Sequence, residues 1–216
     1  MPLVCDNTTI TEAIYNDTDL TKIVCDDVVV WESPYNYIIL SDEKCQIKAT
    51  SALSLDGDIV LPDSFNGNSV AAIAIAGFKD CASITGVTIP NGVTSIGGFA
   101  FSGCSALTTV SVPNGVLSIG EYAFSNCSSL ENITVPNSAT YIGQYAFSNC
   151  TGIKNITMPA SVKTIGGSAF YRCVSLGTFT YAGTMAQWTA ITKGDYWNRN
   201  MKTTKVVCSD GTVNLQ

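Results

Sequence analysis

Residues 119 to 136 read Ile119-Gly-Glu-Tyr-Ala-Phe-Ser-Asn-Cys-Ser-Ser-Leu-Glu-Asn-Ile-Thr-Val-Pro136, and nearly the same phrase stands on either side of them. Its aromatic residue recurs at Phe78, Phe101, Phe124, Phe147 and Phe170, a constant step of 23 residues. The cysteine keeps that step at Cys81, Cys104, Cys127, Cys150 and Cys173, and so do apolar columns such as Val87, Val110, Ile133, Ile156 and Phe179. Proline closes the phrase at Pro90, Pro113, Pro136 and Pro159. A unit this short cannot bury its own apolar side, so strict self-similarity at such a period predicts a stacked solenoid.

Within one unit, Leu107-x-x-Val110-x-Val112-Pro113 predicts a short strand with alternate residues on one side, ended by proline. Ala123, Phe124 and Cys127 at i, i+1 and i+4 suit a single helical or 3₁₀ turn packed inward opposite that strand. The phrase I-G-x-x-A-F-x-x-C-x-x-L-x-x-I-x-I-P, carried here by about Cys45 to Tyr181, resembles the BspA-like leucine-rich repeats of bacterial surface proteins. The resemblance implies a right-handed leucine-rich-repeat solenoid of about six 23-residue coils. Short parallel strands are expected on one face and short helical or 3₁₀ turns on the other.

Outward from the array, Cys45-Gln-Ile-Lys-Ala is expected to be a capping strand, and Asp58-Ile-Val-Leu-Pro62 repeats the strand-proline element. Five extra residues then loop around Asn66-Gly67. At the far end Ala182 replaces the proline. A helix is expected from Gly183-Thr-Met-Ala-Gln-Trp188, then a closing hairpin around Asp210-Gly211, with Trp188 and Trp197 as core residues of the cap. The division expected is residues 1–43 as an acidic β module, 44–181 as the array with its N-terminal capping coil, and 182–216 as the C-terminal cap. Within the first piece, Thr9–Tyr15, Leu20–Val24 and Val28–Glu32 read as short strands. This stretch also resembles an attachment module of phage tail and virion proteins, which implies docking to a larger assembly through residues 1–43.

Charge is concentrated at the ends. Residues 1–43 hold nine acidic residues against one lysine, 44–181 balance six against six, and 182–216 carry four basic residues against two acidic. The net charge of −6 with no basic stripe speaks against nucleic acid. No apolar run is long enough to insert in a membrane, and the first residues lack the pattern of a Sec signal peptide.

Histidine is absent, which removes Ser-His and Cys-His nucleophilic machinery and histidine-based metal sites together. No carboxylate pair recurs, no phosphate loop is present, and no cofactor or metal is implied. Parallel stacked cysteine side chains do not converge as a disulfide requires, so the column reads as buried reduced thiols. What is left is surface. On the strand side Thr109, Asn132 and Asn155 share one outward column, and Ser111, Thr134 and Thr157 share the next. These either keep the sheet soluble or hydrogen-bond a partner. On the opposite side Phe99, Tyr122 and Tyr145 share a column, either as packing between coils or as an interface anchor.

The expected function is therefore a non-catalytic binding or adhesion module for a protein or glycan receptor, at the cell surface, outside the cell or on a virion. The alternatives are a structural or decoration protein of a phage-type particle without its own ligand, and a bacterial cell-surface adhesin.

Overall fold

A 23-residue coil can stack on its neighbours only if most of its backbone lies at strand spacing, about 4.8 Å from coil to coil. The computed structural model describes residues 10–16, 19–25, 28–32, 35–40, 44–49, 55–65 and 67–215. The chain begins with β1 (Ile10–Asn16), β2 (Asp19–Cys25), β3 (Val28–Glu32) and β4 (Tyr35–Ile39), and β5 (Lys44–Ala49) opens the array. The array goes on with β6 (Gly57–Val60), β7 (Ser64–Phe65), β8 (Asn68–Ile73), β9 (Ile84–Thr88), β10 (Ser95–Ile96), β11 (Thr109–Ser111) and β12 (Ser118–Ile119). It continues with β13 (Asn132–Thr134), β14 (Tyr141–Ile142), β15 (Asn155–Met158), β16 (Thr164–Ile165) and β17 (Thr178–Tyr181). The end is α1 (Met185–Ala190), β18 (Thr192–Lys193), β19 (Lys205–Cys208) and β20 (Gly211–Asn214). The array is a β-solenoid of about seven turns of roughly 23 residues, one more than the repeat phrase alone suggests.

Two parallel ladders run along the stack. The expected strand face forms two sheets, β6-β9-β11 and β13-β15-β17-β19-β20. A second sheet runs β4-β5-β8-β10-β12-β14-β16-β18, with partners such as Ile96 and Ile119, then Ile119 and Ile142, one repeat apart. Between the ladders, Pro90, Pro113, Pro136 and Pro159 each set a turn, closed for example by Ala139 N–H donating to the Pro136 carbonyl at 2.9 Å.

The expected helical or 3₁₀ turn does not form. Residues 120 to 127 are instead a run of tight turns in which backbone donors alternate. Ala123, Ser125 and Cys127 donate three residues back, to Gly120, Tyr122 and Phe124, while Tyr122, Phe124 and Asn126 donate to Gln144, Ala146 and Ser148 of the next coil. A helix would spend its donors within itself and, at about 10 Å across, could not stack at strand spacing. The alternation puts two residues per coil in the left-handed region, Tyr122 at φ 55° and Asn126 at φ 61°.

The core is a column of phenylalanines. Phe78, Phe101, Phe124, Phe147 and Phe170 are fully buried and stack with centroids 5.2 to 5.4 Å apart. Tyr35 meets one end of the column edge-on, and Phe179 and Trp197 meet the other. Gly120 allows the close approach of coils, because a Cβ there would stand 2.7 Å from the Gly97 backbone carbon.

Both ends of the array are closed by strands that break the period. At the start, β4 pairs antiparallel with β5, and β7 and β8 form a hairpin around Gly67 where the sequence predicts a loop. At the finish, α1 opens on a capping box between Thr184 and Gln187, and β19 and β20 form the expected hairpin. Trp188 and Trp197 are 2% and 8% exposed and meet each other edge to face, as expected of cap residues. β1, β2 and β3 form an antiparallel sheet where short strands are expected.

Candidate functional site

The strand face is built by alternation. In β13, Ile133 is buried while Asn132 and Thr134 are exposed, and β15 repeats this with Ile156 between Asn155 and Thr157. β13 and β15 pair in register, so Asn132 and Asn155 form one exposed column and Thr134 and Thr157 the next; Thr109 and Ser111, one repeat back on β11, are exposed as well. Asn155 Nδ2 donates to Asn132 Oδ1 at 3.1 Å. Beside them Lys154 pairs with Glu131 at 2.8 Å. Elsewhere, hydroxyls brace neighbouring coils: Thr108, Ser138 and Ser161 donate to backbone carbonyls one coil back. The hydroxyls of Thr109, Ser111, Thr134 and Thr157 make no hydrogen bond among the described residues.

Register also adds two residues that counting in steps of 23 misses. Asp58 pairs with Gly86, and Val60 with Thr88, so Asp58 heads the Thr109 column and Val60 the Ser111 column. Five inserted residues hide this from the period, whereas aligning Pro62 with Pro90 would have revealed it. Asp58 Oδ1 accepts a hydrogen bond from Thr85 Oγ1 at 2.7 Å. An open groove of about 470 Å³ lies here, with Asp58, Val60, Gly86, Thr109, Ser111 and Thr134 along it. Beside it the ladder parts between β11 and β13. Val112 N–H does not reach Thr134, although its counterparts Ile89 and Val135 donate to Ser111 and Thr157. Val110 and Val112 are half-buried as a result.

The aromatic column lies on a different side of the coil. Phe99, Tyr122 and Tyr145 stack with centroids 4.6 Å apart at both steps, and all three are left-handed, at φ 57°, 55° and 55°. Phe99 is exposed, and the two tyrosines are half-buried. Desolvation in the stack raises the Tyr122 hydroxyl above its ordinary pKa, with Tyr145 and Glu121 adding to the effect. None of the three lines the groove, so the nine residues marked by the sequence fall on two separate ladders.

Among the described residues Cys45, Cys81, Cys104, Cys127, Cys150, Cys173 and Cys208 are buried free thiols. Each repeat thiol from Cys104 to Cys173 donates to the phenylalanine carbonyl of the preceding coil, as Cys127 Sγ does to Phe101 at 3.1 Å. Burial pushes the Cys81 thiol up to about 11, with Asp80 adding, and Cys173 up to about 12. Among the described residues no group of three His, Cys, Asp or Glu side chains is placed to hold a metal, and no helix is long and apolar enough to cross a membrane.

Known proteins share this architecture. A leucine-rich-repeat protein from T. pallidum is 28% identical with a TM-score of 0.64, over 76% of this chain and 79% of that one. A leucine-rich cell surface protein from Faecalibacterium prausnitzii is 29% identical with a TM-score of 0.66, and the match covers 80% of this chain and 42% of that protein. The pneumococcal vaccine antigen PcpA, at 20% identity and a TM-score of 0.64 over 94% of this chain and 51% of that one, shares the fold. No curated protein matches the chain. The BspA type leucine rich repeat region matches in six copies across residues 71–194, more than half of the sequence, and with the coil geometry above it makes the chain a member of the BspA-type leucine-rich-repeat family.

Proposed function

We propose that the protein is a non-catalytic adhesion or recognition module that binds a protein or carbohydrate receptor through its strand face. The observation that carries this is the contrast in hydroxyl use. Thr94, Thr108, Ser138, Thr140 and Ser161, away from this face, donate to carbonyls of the preceding coil, whereas the hydroxyls of Thr109, Ser111, Thr134 and Thr157 are exposed and make no hydrogen bond among the described residues. A regular array of donors and acceptors is what repeat proteins present to a large partner. The aromatic column of Phe99, Tyr122 and Tyr145 is a second contact surface on the same module. A setting outside the cell, at its surface or on a virion, suits such a role.

The test is a variant with Thr134, Asn155 and Tyr145 all changed to alanine, assayed on glycan arrays and on host cells. Loss of binding with a cooperative melting transition retained is the expected result, and undiminished binding removes these faces from consideration.

Residues 1–43, with nine acidic residues against one lysine, serve in this reading as the attachment to a larger assembly, such as a phage-type particle. Because β4 pairs with β5 of the array, the informative truncation ends at Glu32. Lost assembly with retained receptor binding is expected. Full assembly with no receptor found for either form would favour a purely structural or decoration protein.

A further inference from the structure

The groove at the head of the strand face has a chemistry of its own. Gly86 leaves a bare patch of backbone where the rest of its column carries side chains. A Cβ there would stand 2.5 Å from Asp58 Oδ1 and 3.1 Å from Thr109 Oγ1, so the missing side chain lets the Asp58 carboxylate lean over the Gly86 backbone toward the Thr109 hydroxyl. Asp58 Oδ1 is bonded to Thr85, while Asp58 Oδ2 and the Thr109 hydroxyl hold no hydrogen bond among the described residues. The ion pairs of the described residues are Lys79 with Asp80 and Lys154 with Glu131, so no described cation offsets Asp58. Beside the gap stands Val60, 72% exposed, an apolar surface next to a charge.

We propose that this groove is the seat of an arginine side chain from a protein partner, a conclusion that rests on the strand face being the binding face. The guanidinium lies beside the Asp58 carboxylate, donating to Asp58 Oδ2 and Thr109 Oγ1 through two N–H groups of one rigid plane, a preorganised fork that the rotating donors of an ammonium lack. Its alkyl stem covers Val60. No aromatic ring lines the groove, so it offers no flat face on which a sugar ring could stack. Partner backbone running on along the face meets the free hydroxyls of Ser111 and Thr134.

The test uses the full chain labelled with ¹⁵N. It is titrated at low salt with the peptide acetyl-Thr-Arg-Thr-amide, with the same peptide carrying citrulline in place of arginine, and with maltotriose. The arginine peptide should shift the amides of Gly86, Thr88 and Thr109, and citrulline or Asp58→Asn should each weaken it by about two- to fivefold, the range of a partly screened ion pair. Gly86→Ser, whose Cβ would displace the Asp58 carboxylate, should weaken it as well. Equal binding of the citrulline peptide, tighter binding of maltotriose, or indifference to Asp58→Asn overturns the arginine seat and leaves the face itself standing. A strand face whose amides respond to none of the three probes, while the Thr134, Asn155 and Tyr145 triple variant keeps receptor binding, overturns both readings together.

Discussion

Each repeat cysteine holds a position that only a small side chain with a proton to give can fill. Its thiol lies in the core and, from Cys104 onward, donates to a phenylalanine carbonyl one coil back, so it joins neighbouring coils as well as filling space. Burial raises the thiols of Cys81, Cys104, Cys150 and Cys173, and in the unfolded chain they ionise from about pH 8.5 upward. Above that pH the unfolded state sheds protons that the folded state keeps, so stability must fall as pH climbs from about 8.5 toward the folded values. Below it the thiols contribute nothing, and with no histidine no side chain has an ordinary pKa between about 5 and 8. Urea unfolding should therefore give a flat stability from about pH 6 to 8 and a decline through pH 10, and iodoacetamide should label the repeat cysteines only in the unfolded protein. Flat stability to pH 10 with rapid native labelling would show the thiols to be exposed. Next to them, Phe124 stacks on Phe101 and Phe147. Phe124→Ala should cost about 3–5 kcal/mol in calorimetry, and a loss under about 1 kcal/mol would remove the ring from the core.

At the scale of elements, the turn ladder shows where local sequence stops informing. Ala123, Phe124 and Cys127 are spaced as well for tight turns as for a helical turn, and the choice is made by donors taken up 23 residues away. The ladder of β10, β12, β14 and β16 was hidden for the same reason, since strands of two residues have no readable pattern and exist only through their copies. By contrast the β13 and β15 strands, α1 and the closing hairpin were legible, because alternation, a capping pair and an Asp-Gly turn are local signals. The candidate face was legible in its threonine and asparagine columns, while Asp58 and Val60 escaped because an insertion shifts their register. In the aromatic column, the left-handed backbone costs about 1–2 kcal/mol per residue, and each ring stack returns about 0.5–1.5 kcal/mol. Tyr122 touches two rings, so stacking roughly balances strain. Tyr122→Ala loses the stacks and keeps the strain, whereas Tyr122→Gly loses both. The glycine variant should be the more stable of the two by about 1 kcal/mol in thermal unfolding, and an alanine variant of equal or greater stability would mean the turn is not left-handed.

The whole molecule is a stack in which each coil touches mainly its neighbours, so its length is adjustable in units of one repeat. Removing Gly120 to Ile142, one period, rejoins Ile119 to Gly143 and restores the Ile-Gly junction. That deletion should fold and should lower the urea m-value by about one part in seven, following the surface lost. Removing Gly120 to Tyr141 instead slips the register by one residue and turns core positions outward, and should abolish cooperative unfolding. The alternating donors of the turn ladder carry one more consequence, a mechanical one. Bonds such as Tyr122 to Gln144 and Phe124 to Ala146 cross from coil to coil, so tension applied to the two ends acts on one inter-coil seam at a time. The chain should yield as a spring that pays out in clicks, each freeing one 23-residue coil or about 75 Å of chain, and each able to rewind when the force drops.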